Sequence, residues 1–578
     1  MTVPSDVNDS AECLHGSDAA GASLRPGGSS VPAPPSWPIA AALGRIEGWR
    51  LLRHPGVAVA LVLTALLATA QRVPEVTDRT EAAFNAGFNF LLLAAMTLVA
   101  ANLAVLRGRR HGTEELYAAT PADPASRTGA HLLALAWPLA ASVALLLAGV
   151  VLSAVMAPDG FGPPHLGELA VGPLLVAGAG ALGVFLARWA PYRLTVPLAL
   201  IAIMFSELWL NSEALVVSSW RWLAFWFGVS SLPSSFLPPR PSWLHLAYLV
   251  GLVGLAGIGA LVAHGRRRPV VVAGLVILAL VAGSGWALTR PPSATEWAAR
   301  NDLLANPERH QVCERLDGVQ FCAYPHYRPL VAHWRRPVAG VAARLPGGVG
   351  LAGLEVRQWM APIDVQYVTG GYRTGLQRVL PDLPPADAPT PDDGALHPPL
   401  TWNTGGEADL GLALGAAASA VGLPIVPSSA GMVCDSTGQG RAVVALWLAG
   451  QATPEAGEAL VRLAATRMRP FGAAGRRLVV GDHVDQGTHR SGVAWGESEL
   501  GAALALLDRP ASEVEAAVAA EWSRMTAPAT TTEEVVNHLK LVSPPALSSI
   551  AEGDENQPPP VEAHLGPPCP DRPAPSGI

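Results

Sequence analysis

The sequence contains a single lysine, Lys540, so all but one of its 39 basic residues are arginines. A Walker A loop needs a Gly-Lys-Ser/Thr tripeptide whose lysine reaches the terminal phosphates of a nucleotide, and no such tripeptide is present. The chain therefore carries no P-loop of its own. Charge of either sign is also scarce: Asp, Glu, Lys and Arg make up 15% of the 578 residues, against 50% hydrophobic ones, and mean hydropathy is +0.31. Ordinary soluble domains have roughly 25% charged residues, so this composition points to a membrane protein. The formal net charge of −7, with no basic tract, excludes a nucleic-acid partner.

Two catalytic patterns are missing as well. A zinc peptidase needs HExxH, which sets two histidines and a glutamate base on one helical face, and it is absent. His326 with His333, and Asp482, His483, Asp485 and His489 in GDHVDQGTH, lack that spacing and read as polar surface. No Gly-x-Ser-x-Gly elbow occurs either; SSAGMVCDSTGQGR comes nearest and has the wrong spacing. No metal and no catalytic residue is therefore expected.

Long apolar runs are what the chain does have. Seven approach or exceed the ~20 residues that cross a bilayer core: Pro55 to Ala70, Ala82 to Leu106, His131 to Met156, Leu169 to Leu186, Leu194 to Leu210, Leu244 to Ala263 and Val270 to Leu288. The expected fold class is an α-helical polytopic membrane protein of about seven transmembrane helices, followed by a C-terminal α+β soluble domain. Residues 1–40, rich in Ser, Gly, Pro and acids, read as a disordered cytoplasmic tail with no signal-peptide pattern.

Arginines set the expected orientation, because cytoplasmic loops collect positive charge. Twelve fall on one side: Arg45, Arg50, Arg53, Arg107, Arg109, Arg110, Arg127, Arg188, Arg193, Arg266, Arg267 and Arg268. Five fall on the other: Arg72, Arg79, Arg221, Arg240 and Arg290. This places the amino terminus in the cytoplasm and residues beyond 288 outside the plasma membrane. The apolar run 214–232 would break the alternation if it crossed, and its central Arg221 and flanking prolines read as a re-entrant or interfacial segment. Ahead of the first span, IAAALGRIEGWRLLRHP reads as a cytoplasmic amphipathic helix, or else as an extension of that span. Asn85, Asn89, Asn102 and Glu207 are the polar residues inside the bundle. Asn85, Asn89 and Glu207 are candidates for a translocation path, the alternative being hydrogen-bonding glue between helices. Glycines 178, 180 and 183, and 251, 254, 257 and 259, fit close helix packing.

From Pro291 the long apolar runs stop. Residues 291–550 read as an extracytoplasmic α+β domain and 551–578 as a disordered tail. Strands are expected in GVQFCAYP, LEVRQW and DVQYVTG. Helices are expected in YRPLVAHWRRPVAGVAARL, ADLGLALGAAASAVG, TPEAGEALVRLAATRM and SEVEAAVAAEWSRM. Cys313 and Cys322 bracket a turn and form either a disulfide or two buried thiols; Cys434 has only Cys569 in the tail as a partner.

The segment RGRRHGTEELYAATPADPASR joins the second and third runs. Thr113 suits a helix cap, Glu114 and Glu115 complement the first turn, and Pro121 ends it, giving a helix of about two turns or else a solvated loop. With GRIEGWRLLRHP ahead of the first span and the apolar segment between spans five and six, residues 40–288 resemble ABC-2 type ABC transporter permeases of actinobacterial kind. The resemblance implies that this loop includes a coupling helix that docks on a separate ATP-binding subunit. Arg109, Arg110, Gly112, Thr113, Glu114, Glu115, Leu116, Tyr117 and Arg127 would form or flank the contact. It also implies that ATP is bound by the partner and not by this chain, that two permeases pair as a homodimer or heterodimer, and that the complex exports its substrate. The family core has six spans, so the seventh and the C-terminal domain are additions. The competing readings are a membrane-anchored binding or sensing protein and a membrane-bound peptidase-like protein lacking HExxH.

Overall fold

A computed structural model of the chain describes residues 37–70, 78–112, 123–156, 158–211, 219–226, 240–263, 268–358, 395–398, 406–424, 432–466, 469–470, 476–478, 493–541 and 564–569. The first half is helical: α1 (Trp37–Leu52), α2 (Pro55–Ala70), α3 (Arg79–Ala86), a 3-10 turn (Gly87–Phe90), α4 (Leu91–Arg110), α5 (Pro124–Ala134), α6 (Ala136–Met156), the short α7 (Leu166–Leu169), α8 (Val171–Trp189), α9 (Thr195–Leu210), α10 (Ser242–Val262) and α11 (Arg268–Leu288). Five helical stretches are long and apolar enough to cross a membrane: Gly87–Arg110, Pro124–Met156, Leu166–Trp189, Ser242–Val262 and Arg268–Leu288. A sixth arises if α1 and α2, bent by 62° where they meet, count as one. Although α9 is apolar, its 16 residues place it among the shorter helices. At 1.5 Å per residue it is about 24 Å long, less than the ~30 Å of a hydrocarbon core. All seven expected runs are thus helical, but length and composition support five or six spans.

Burial ranks the helices. Half of the apolar window is buried in Gly87–Arg110 and in Leu166–Trp189, against 6% in Pro124–Met156 and Arg268–Leu288. The α4–α8 pair is therefore the centre of the bundle. Its seam is tight because Gly183 faces α4: a β-carbon there would lie 2.4 Å from the Leu98 carbonyl oxygen. The buried Asn102 side chain donates to the Gly183 carbonyl oxygen at 3.1 Å, so Asn102 is interhelical glue.

Two expectations within this half are corrected. The run from Ala82 to Leu106 is not one helix, since the 3-10 turn at Gly87–Phe90 separates α3 from α4. For α1, the side packed on the bundle is made mostly of small residues, Ala40, Gly44 and Gly48, together with Leu51. A β-carbon at Gly44 would come within 3.0 Å of the Ala130 carbonyl oxygen, and one at Gly48 within 2.9 Å of that of Ala134. GRIEG is thus a Gly-x-x-x-Gly stripe packed against Ala130 and Ala134 of α5.

The second half begins with α12 (Ala294–Ala305), whose start is held by the Ser293–Glu296 capping box, and the short α13 (Pro307–His310). Strands β1 (Val312–Leu316) and β2 (Val319–Ala323) form an antiparallel hairpin. Its two-residue turn is Asp317-Gly318, both at positive φ, as the right-handed twist of the strands requires. Next come α14 (Val331–Ala342) and β3 (Glu355–Arg357), which pairs in parallel with β2. The remainder is α15 (Glu407–Ala420), β4 (Met432–Asp435), α16 (Gly440–Gly450), α17 (Pro454–Thr466), β5 (Arg469–Pro470), β6 (Arg476–Leu478), β7 (Val493–Gly496), α18 (Glu497–Leu507), α19 (Ala511–Ala520), α20 (Trp522–Met525), α21 (Thr532–His538) and β8 (His564–Pro568). The larger sheet runs β5-β6-β7-β4-β8. Every residue of α16 is buried, and α15, α17, α18 and α21 surround it. Two of the three expected strands and all four expected helices are seen here; DVQYVTG lies outside the described residues.

The expected disordered tail, 551–578, contributes β8, which pairs in parallel with β4. The Cys569 N–H donates to the Asp435 carbonyl oxygen, and Cys434 and Cys569 form a disulfide. This corrects the expectation of disorder at residues 564–569: a proline-rich strand is tolerated because it lies at a sheet edge. Cys313 and Cys322, directly opposite each other in the β1–β2 hairpin, form a second disulfide.

Candidate functional site

Polar side chains in the bundle gather at its two ends. At the arginine-rich end, α4 stops because His111 leaves helical geometry and Gly112 follows at φ +66°, a conformation glycine adopts without a Cβ penalty. Arg109 and Arg110 are in the last turn of α4. Arg127 lies in the first turn of α5, with its N–H on the Asp123 carbonyl oxygen. Thr113, Glu114, Glu115, Leu116 and Tyr117 lie outside the described residues.

The flanks of this loop meet a carboxylate that the sequence did not single out. Glu47 of α1 accepts from Arg50 at 2.9 Å and from Arg107, in the last turn of α4, at 3.4 and 3.5 Å. Beside it lies a small crevice of about 10 Å³ lined by Glu47, Leu51, Ala101, Ala104, His131, Ala134 and Val184. Side chains from α1, α4, α5 and α8 therefore converge where the chain leaves for residues 113–122 and returns. A signal for Glu47 did exist: it is the only acid between residues 37 and 77 other than Glu75, and it stands within an arginine-rich helix.

At the opposite end, Glu207 near the end of α9 accepts the backbone N–H groups of Phe225 and Trp226 at 2.9 and 3.3 Å. Asn211 donates to the Trp226 carbonyl oxygen at 3.3 Å, and His245 Nε2 lies 3.0 Å from that of Ala224. These bonds pin the described part of the 214–232 segment, a 3-10 turn (Ser219–Leu223) with Arg221 and Trp222 buried. Glu207 thus closes backbone donors that a segment without regular structure leaves open. Nearby, Glu168 of α7 and Arg240 form an ion pair with both side chains 1% exposed. In the sequence, Arg240 stands out only as a charge near a helix end.

A third cluster joins the two halves. Asp78 bridges to Phe161, whose ring enters the core of the C-terminal half. Phe161 meets His326 and Tyr327 edge-on, with centroids 5.4 and 5.8 Å apart, and His326 Nε2 lies 2.7 Å from Asp78 Oδ2. His326, weighed above as a metal ligand, instead contacts the α2–α3 connection. Among the described residues no group of three His, Cys, Asp or Glu side chains could hold a metal ion.

Outside the bundle, the shifted titrations include those of Asp302 and Tyr324. The His310 and Asn306 hydrogen bonds hold the Asp302 carboxyl below its usual range. Burial pushes the Tyr324 phenol up, and its hydroxyl donates to the Leu303 carbonyl oxygen at 3.0 Å.

Compared with family models, curated proteins and solved structures, the chain matches none.

Proposed function

We propose that this chain is the membrane-spanning permease subunit of an ATP-driven ABC transporter of ABC-2 type, an exporter that works with a separate ATP-binding subunit. The observation that carries the reading is the construction of the arginine-rich end. Both flanks of the 107–127 loop are built into the bundle, one through Arg107 on Glu47 and the other through α5 on the Gly44–Gly48 stripe. A loop that only linked two spans would need no such foundation, whereas one that transmits closure of a docked ATPase needs a stiff base.

In this reading α2, α4, the α5–α6 stretch, α8, α9, α10 and α11 are seven spans. The 16-residue α9 is helped across by the segment that Glu207 pins at its end. The arginine-rich end faces the cytoplasm and the C-terminal half lies outside. Its two disulfides support that side, because such bonds persist in oxidising compartments. Two permeases pair, as homodimer or heterodimer, and ATP stays with the partner. Asn85 and Asn89 remain candidates for the translocation path; Glu207 acts on the segment at the mouth of that path.

The test is the double substitution Glu114→Arg, Glu115→Arg, in the full chain expressed in its native membranes, with copurification of an ATP-binding subunit as the readout. Copurification should drop by at least tenfold, about 1.4 kcal/mol in binding, while membrane insertion is unchanged. Undiminished copurification would overturn the docking assignment.

A further inference from the structure

The outward stripe of α1 is only partly covered within the chain, Trp49 meeting the Trp137 ring with centroids 5.7 Å apart. Ala40, Gly44, Gly48 and Leu51 face the bundle, yet Trp37, Ile39, Ile46 and Trp49 are exposed, at 65, 42, 52 and 44%. Ile46, Trp49, Arg50 and Arg53 follow one another at i, i+3, i+4 and i+7, a single stripe along a helix. Within it the Arg53 guanidinium stacks on the Trp49 ring, 4.3 Å from the centroid, and Arg50 keeps 58% of its side chain exposed. Because α1 bends 62° away from α2, it cannot run alongside the spans as their continuation. A helix that shows aromatic rings and guanidinium groups on one face suits the plane where lipid headgroups meet acyl chains.

Charge narrows the kind of lipid. Glu47 is the only acid in α1, it is turned inward, and Arg50 and Arg107 occupy it. Residues 91–112, which end in Arg107, Arg109 and Arg110 next to α1, contain no acid at all. The stripe therefore offers no anion to match the choline or ammonium group of a zwitterionic lipid, while guanidinium groups bind phosphate through paired, charge-assisted hydrogen bonds.

We infer that the outer stripe of α1, with Arg45, Arg50 and Arg53, is a docking surface for the headgroups of anionic phospholipids. Ile39, Ile46 and Trp49 seat at the acyl boundary, and the arginines hold the phosphates. The Gly44–Gly48 seam ties this lipid-bound helix to α5, so headgroup composition reaches the bundle through one rigid contact. The inference does not depend on transport or on an ATPase, and it stands or falls separately from the permease reading.

The test uses the full chain purified in detergent, mixed with phosphatidylglycerol or phosphatidylcholine, with retained lipids counted by native mass spectrometry. Wild type should keep phosphatidylglycerol in preference to phosphatidylcholine. The triple variant R45Q/R50Q/R53Q should lose that preference by about tenfold or more, since each arginine near an anionic surface counts for about fivefold. The triple lysine variant, which keeps the charge, should retain most of it. Should the glutamine variant fail to fold, wild type and W49F in vesicles decide the matter: brominated phosphatidylglycerol should quench Trp49 more than brominated phosphatidylcholine does. Equal retention of the two lipids by wild type, an unchanged preference in the glutamine variant, or equal quenching would overturn the proposal.

Discussion

The two halves of the chain differ in where their large apolar side chains lie. In the bundle, the largest aliphatic and aromatic side chains point outward: Leu147, Val151 and Val155 on α6, Phe205 and Leu208 on α9, and Leu275 and Val276 on α11 are all about 60% exposed or more. The bundle does bury leucines such as Leu93 and Leu98, but small and polar groups share its interior, including Gly183 against Leu98, Asn102, Glu168 with Arg240, and His245. In the C-terminal half, Trp334, Trp447 and Trp495 are fully buried around α16, with charge mostly at the surface. The difference is one of solvent. Lipid tails are as apolar as leucine, so burying leucine inside a bundle gains little there, and close approach and hydrogen bonds hold the helices together. In water the hydrophobic effect makes large apolar side chains the core.

That contrast can be broken by truncation. Trp447→Ala in α16 should destabilise the C-terminal half by about 3–5 kcal/mol, the usual cost of a large aromatic lost from a core. Val155→Ala on α6, at 70% exposure, should stay within about 0.5 kcal/mol. Hydrogen exchange on the full chain would locate the loss at α15–α18 in the first variant and show no change in the second. Equal effects would mean that α6 packs against something in the same way as a water-facing core.

The polar side of the contrast predicts a similar loss in the bundle. Arg240→Ala leaves Glu168 as a buried charge without its partner and should lower stability by about 3–5 kcal/mol, read as thermal unfolding in detergent. The double change Glu168→Gln, Arg240→Leu removes both charges and should recover a large part of that. If the single change were harmless, the pair would be solvated and the bundle end open.

The smallest effect sharpens the description of the C-terminal half. Burial raises the Tyr324 phenol above the ordinary value of about 10, so the folded state favours the protonated form. The sign follows from linkage: the contribution is fully present below pH of about 10 and is lost as pH rises above it, toward the folded value. Thermal stability of the full chain between pH 9 and 11 should therefore fall more steeply than in Tyr324→Phe, whose core position cannot ionise. Parallel curves would place Tyr324 in contact with water.

Much of this was legible in the chain itself, for physical reasons. Aliphatic runs longer than about 16 residues, bounded by arginine or proline, have few options other than helix, and all seven appear as such. The Asp317-Gly318 turn demands positive φ at two positions, which fixes the hairpin and sets Cys313 opposite Cys322. α16 is hard to read from GRAVVALWLAG, because a short helix buried on every side, Arg441 included, need not show a polar face. β8 was missed because Pro567 and Pro568 argue against a strand unless its edge position is known.

By itself, then, the sequence determined the apolar helices, the charge asymmetry between their ends and the absence of a nucleotide loop, since each depends on local composition. Apart from the Cys434–Cys569 pair, which counting cysteines already suggests, tertiary structure alone decided the contacts between distant residues. Glu47 meets Arg107 across 60 positions, Glu168 meets Arg240 across 72, and Asp78 meets His326 across 248. No local pattern encodes such pairs, because a carboxylate or thiol acquires its partner only when packing elsewhere has brought two chain segments together and removed the water between them.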